Sequence, residues 1–165
     1  MSLNKIDHEK IAWKAYEVLE ASNIKDPVVN VIKIAQAEGI KIREAEMPKG
    51  NEKVAGFYDK NSKTIFIAKN DSPERKLFSV AHELGHLFLG HKHATVLYRT
   101  VLSEGGQYPT EESEANSFAA HLLMPDYMVK EYMERLDLAK SDYKTLAKIF
   151  GVPISAMLHT LTYLS

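Results

Sequence analysis

Apolar positions along the chain repeat at helical spacing in several stretches and alternate in a shorter central region. Between residues 4 and 21, Ile6, Ile11, Ala15, Val18 and Leu19 fall near one side of a helix, with Trp13 and Tyr16 expected to pack. Asp26-Pro27 reads as the start of a second helix, N-cap then proline, which Gly39 ends. Val28, Val31, Ile32 and Ala35 are its expected buried side. Residues 40–45 alternate as a strand does, and 47–51 read as a loop. Residues 53–59 and 63–69 read as two strands joined around Asn61-Ser62. In the second of these, Ile65 and Ile67 would face one way and Thr64, Phe66 and Ala68 the other.

The next stretch is apolar on nearly every side. Ser72 is suited to an N-cap, Pro73 to the first helical position, Glu74 to the first turn and Gly90 to the stop. Leu77, Val80, Ala81, Leu84 and Phe88 form one stripe. His82 and His86 lie almost opposite, flanked by Phe78, Gly85 and Leu89, so the histidines are expected on a second buried face. Four residues apart on a helix, they can present two imidazole nitrogens to one ion. Glu83 then projects beside the ion, where it can take a proton from an attacking water. This is the H-E-x-x-H arrangement of zinc hydrolases.

A partner helix is expected over residues 109–124, with Thr110 as N-cap, acidic residues in its first turn and Pro125 after its end. Glu112 sits at the centre of its inner stripe among Ala115, Asn116, Ala119 and Leu123. A carboxylate there needs a compensating partner, and the alanines let another helix approach closely. Glu112 is therefore expected to supply the third protein ligand of a catalytic zinc site, which leaves a position for water; the alternative is a first-turn charge at a helix N-terminus. Glu114 is rotated by about 200° from it and is expected to contribute nothing to the site. His121 lies away from Glu112 and reads as a non-ligand.

The segments SVAHELGHLFLGH and ESEANSFAAHLLMP, with the upstream GFYDKNSKTIFIAKNDSPERKLFSVAHELGH, resemble the ImmA/IrrE family of gluzincin-type metallopeptidases over residues 25–160. The resemblance implies zinc ligands at His82, His86 and Glu112, a catalytic glutamate at Glu83, and a residue orienting the ligands at Asn116. A metzincin would need glycine and histidine where the chain has Leu89 and Lys92; Gly90 and His93 miss that register by one residue. In gluzincin-like folds an edge strand beside the site pairs with an extended substrate. Thr64, Ile65, Phe66 and Ile67 are the candidates for that role; the alternative is an ordinary sheet edge guarded by Lys63 and Lys69. The implied substrate is a helix-turn-helix repressor of a mobile element or stress regulon, whose cleavage relieves repression.

Composition narrows the classes further. The 165 residues suit one domain, and 45% hydrophobic with 26% charged residues is ordinary globular composition. No cysteine is present, so a metal would be held by nitrogen and oxygen alone. A net charge of −1 carries no electrostatic footprint for nucleic acid or an anionic membrane. There is no apolar run of membrane-spanning length, and Asp7, His8, Glu9 and Lys10 do not suit a signal peptide; a cytoplasmic protein is expected. Residues 91–108, with Gly105-Gly106, form a long polar connection in which His91, His93, Tyr98 and Tyr108 are candidate hydrogen-bond donors to a transition state. Residues 138–165 resemble a helix-turn-helix, but residues 154–164 carry no Lys or Arg, so packing on the domain is favoured over DNA reading.

The expected fold is α+β: N-terminal helices, a small antiparallel or mixed sheet of about three strands, a zinc helix, a glutamate helix and a helical C-terminal extension. The expected function is that of a zinc endopeptidase. The competing reading is a regulatory protein on the same fold that holds a transcription factor or senses metal without cleaving. An intact Glu83 favours the enzyme, since a binder has no need of the base.

Overall fold

The computed structural model describes residues 5–47, 55–92 and 109–165. Helix α1 (His8–Ala21) is capped by Asp7, whose side chain accepts from the Lys10 amide. Helix α2 (Val31–Ala37) follows, then strands β1 (Lys41–Ala45), β2 (Gly56–Asp59) and β3 (Thr64–Ala68). Helices α3 (Pro73–Phe88), α4 (Pro109–Leu123) and α5 (Asp126–Arg135) precede a short 3-10 turn (Lys140–Asp142) and the final pair, α6 (Tyr143–Phe150) and α7 (Ile154–Tyr163). The architecture is α+β with a mixed three-stranded sheet, as the sequence pattern predicts.

Local chemistry accounts for the long helices. On α3, Ser72 accepts a hydrogen bond from the Arg75 amide and Pro73 occupies the first turn. Gly90, at φ +71°, closes the helix: its amide reaches the Leu87 carbonyl, and the His91 amide reaches the His86 carbonyl. That 6→1 and 5→2 pair is a Schellman motif, which requires the left-handed conformation glycine adopts without strain. Both faces of α3 are covered. Val80, Ala81 and Leu84 are buried, and so are Glu83 and His86.

Helix α4 lies against both α3 and α1. Its Ala115, Phe118, Ala119, Leu122 and Leu123 are buried. The approach to α3 is close enough that a Cβ on Gly85 would stand 3.0 Å from the Ala115 carbonyl oxygen. Leu146, Phe150 and Met157 of α6 and α7 belong to the same apolar cluster as Leu84 and Phe118, so the C-terminal pair packs on the rest.

Several expectations are corrected. The α2 cap is Asn30, whose side chain accepts from the Lys33 amide, not Asp26; the helix therefore starts four residues after Pro27. Val29, Val31, Ile34 and Ala35 are buried, whereas Val28 and Ile32 are exposed. Trp13 is 63% exposed and meets the Tyr16 ring at a 35° tilt at the surface; Tyr16 in turn meets Tyr127 edge-on. Thr110 lies within α4 rather than capping it.

The largest correction concerns β3. The strand order is β1-β3-β2, with β3 parallel to β1 and antiparallel to β2. Thr64, Ile65, Phe66 and Ile67 thus lie on a central strand whose two edges are already paired, and cannot add a substrate strand. Ile65 and Ile67 face the core, while Phe66 stacks on Phe57 across the opposite face.

Candidate metal centre

Three donor groups converge where α3 crosses α4. His82 and His86, one turn apart, bring their Nε2 atoms to 3.1 Å. Glu112 reaches across from the first turn of α4, with one carboxylate oxygen 3.1 Å from His82 Nε2 and the other 3.2 Å from His86 Nε2. Among the described residues, these three form a group whose ligand atoms all lie within 4.8 Å of one another. The position of Glu112 follows from the small residues at the crossing, Gly85 on one helix and Ala115 on the other.

The donor set fits a small divalent ion. Nitrogen and oxygen ligands at about 2.0–2.1 Å from a tetrahedral ion stand about 3.3 Å from one another, close to the spacing seen here. Two imidazole nitrogens and a carboxylate packed this tightly also need positive charge among them, as a proton or as an ion. Burial works against the charge on Glu112. Hydrogen bonds and charge from His82 and His86 outweigh it and hold the carboxyl well below the usual carboxylate range.

Each imidazole is held from behind. His82 Nδ1 lies 2.8 Å from Asn116 Oδ1, so the ring can donate there and keep its Nε2 lone pair for an ion. His86 Nδ1 lies 2.9 Å from Nδ1 of His91, the residue that the Schellman turn folds back. His91 Nε2 in turn lies 2.8 Å from Glu114 Oε2. Glu83 is 1% exposed. On the helix it is turned about 100° from His82 and about 60° from His86, beside the donors rather than among them.

The structure thus brings together His82, His86 and Glu112, with Asn116 in contact and Glu83 buried alongside. It moves His91 from the expected front of the site to the back of His86. Glu114, expected to be irrelevant, is tied to the centre through His91. Neither role was readable from helical spacing, because both depend on where the turn after α3 sends the chain. His121 instead faces α1 and α5: burial lowers its pKa, the charge of Asp126 opposes that, and the charge of His8 adds a smaller lowering. His93, Tyr98 and Tyr108 lie outside the described residues.

The sequence profile of the IrrE N-terminal-like domain (peptidase family M78) matches residues 35–162. An uncharacterized immunity region protein of Bacillus phage phi105 is 38% identical over 87 residues, covering 50% of this chain and 52% of the relative. The radiation response metalloprotease IrrE of Deinococcus radiodurans is 31% identical over 108 residues, covering 65% of this chain and 33% of that protein. A Mycobacterium tuberculosis transcriptional regulator superimposes with a TM-score of 0.69 at 19% identity, over 93% of this chain and 46% of its own. The chain therefore spans about half, or less, of the length of these relatives. No helix among the described residues is long and apolar enough to cross a membrane.

Proposed function

The chain belongs to the IrrE N-terminal-like metallopeptidase family, and from that premise we propose that it is a zinc-dependent endopeptidase acting on a protein substrate. The observation that carries the reading is the convergence of His82, His86 and Glu112 on one point with Glu83 buried beside them. His82, His86 and Glu112 would hold the ion, and Asn116 would orient His82. A zinc ion held there would supply Lewis acidity, polarising the scissile carbonyl and acidifying water. Glu83 accepts the proton of the attacking water and delivers it to the leaving amine nitrogen. The extended substrate pairs with a sheet edge. With β3 central, the edge strand packed against α3 is β2, Gly56–Asp59, and it is the strand proposed to pair with substrate.

The substrate proposed is a repressor-type transcription factor whose cleavage relieves repression. Support comes from the relatives' names, one an immunity region protein and one a radiation response metalloprotease. The test is to incubate purified, zinc-loaded protein with the repressor encoded beside its gene. Wild type should cut it at one or a few bonds, and Glu83→Gln should be slower by on the order of a hundredfold or more. If Glu83→Gln relieves repression in cells as well as wild type does, the protein acts by binding, and the non-proteolytic reading replaces this one.

A further inference from the structure

We propose that His91 and Glu114 are positioning residues of the metal centre, a two-member hydrogen-bond chain that fixes the tautomer and rotation of His86 from behind. The proposal rests on the reading of His82, His86 and Glu112 as ligands. His91 is tied to His86 twice. Its amide donates to the His86 carbonyl at 2.9 Å, and its ring Nδ1 meets the His86 ring Nδ1 at 2.9 Å. The left-handed Gly90 makes both contacts possible. The His91 side chain is only 6% exposed, and its far nitrogen ends on Glu114 at 2.8 Å.

Proton placement along this chain has one consistent solution once His86 offers its Nε2 lone pair to an ion. The single His86 proton then lies on Nδ1 and points at His91 Nδ1, which must accept it. His91 therefore keeps its own proton on Nε2 and donates it to Glu114, whose carboxylate can only accept. Any other placement sets two protons or two lone pairs face to face at 2.9 Å or 2.8 Å. The two ligand imidazoles are thus backed differently. His82 rests on the uncharged amide of Asn116, whereas His86 rests on an imidazole that is itself anchored by a carboxylate. Neither His91 nor Glu114 needs to touch substrate; both act through His86.

The test combines imidazole nitrogen NMR of the zinc-loaded full chain with chelator competition on variants. In wild type, nitrogen shifts should place the His86 proton on Nδ1 and the His91 proton on Nε2. His91→Phe keeps a ring but removes the acceptor, and should weaken zinc binding by about 10–100-fold. His91→Gln, whose amide offers both an acceptor and a donor, should recover most of that loss. Glu114→Gln should weaken binding less than His91→Phe does, and should add nothing in the His91→Phe background, because its route to the metal is gone. A zinc affinity for His91→Phe within twofold of wild type would overturn the proposal. So would a His91 proton on Nδ1 in the loaded protein, or a Glu114→Gln effect undiminished in the double variant. Should His91→Phe fail to fold, the wild-type tautomers decide alone: a His91 proton on Nε2 supports the proposal and one on Nδ1 overturns it. Wild type that binds no zinc is a separate result, which overturns the ligand reading and this proposal with it.

Discussion

Replacing Gly85 by alanine tests whether the close crossing of α3 and α4 sets the donor spacing. The added Cβ would stand 3.0 Å from the Ala115 carbonyl oxygen, 3.1 Å from Ala115 Cα and 3.2 Å from Phe118 Cδ1. Two of those atoms are backbone, so no rotamer change relieves the contact. The helices must separate by about half an ångström to restore ordinary carbon contacts. Overpacking of this kind costs about 1–3 kcal/mol, and alanine returns about 1 kcal/mol through its better helix propensity. The net loss is about 0–2 kcal/mol, or a fall in the unfolding midpoint of up to about 8 °C for a chain of this size. The metal centre feels the same shift more sharply. Glu112 lies three residues before Ala115, and its oxygens are already 3.1 and 3.2 Å from the histidine nitrogens. A further half ångström takes these gaps past the ~3.3 Å donor spacing of a tetrahedral ion. Zinc affinity should therefore fall by about tenfold or more. Chelator competition reads the affinity and thermal unfolding of the metal-free protein reads the stability. A Gly85→Ala protein that is as stable as wild type and binds zinc equally well would refute the reasoning.

Asn116→Ala should lower zinc affinity by about 10–100-fold in the same titration, and Asn116→Asp, which keeps an acceptor for His82, should lower it less. Acidification should release the metal, because protons compete for the His82 and His86 nitrogens; an ion-selective dye follows the release. In the metal-free protein the depressed Glu112 pKa gives a stabilisation that is present above the ordinary value of 4.5 and lost as pH falls below it. The midpoint difference between wild type and Glu112→Gln should accordingly shrink below that pH in thermal melts. Residues 154–164 lack Lys and Arg, so a gel shift at physiological salt should show no specific DNA complex.

The parts of the molecule legible in the sequence are those fixed by local chemistry. Ser72, Pro73 and Gly90 bound α3, and helical phase alone puts His82 and His86 on one face. The same phase puts Glu112 with Ala115 on the side of α4 that meets α3. What stayed hidden depends on contacts distant in sequence. Alternation identifies β3 as a strand but says nothing of its pairing with β1, so its central place could not be read. Asp26-Pro27 and Asn30 offer competing helix caps a few residues apart, and the side-chain bond to Lys33 settles the choice. Trp13 and Tyr16 pack on each other at the surface, which periodicity does not distinguish from burial. The link from His91 to Glu114 joins the end of one helix to the first turn of another. Gly90 signals the turn but not its destination.

The central claim is that His82, His86 and Glu112 together hold one catalytic metal ion while Glu83 does chemistry without holding it. Metal content of the purified wild type, His82→Ala, His86→Ala, Glu112→Ala and Glu83→Gln proteins tests this most directly, by elemental analysis after equilibration with zinc and removal of the excess. About one zinc per chain is expected in wild type and in Glu83→Gln, and loss of it in each of the other three. Wild type that takes up no metal, or Glu112→Ala that retains a full equivalent, would contradict it.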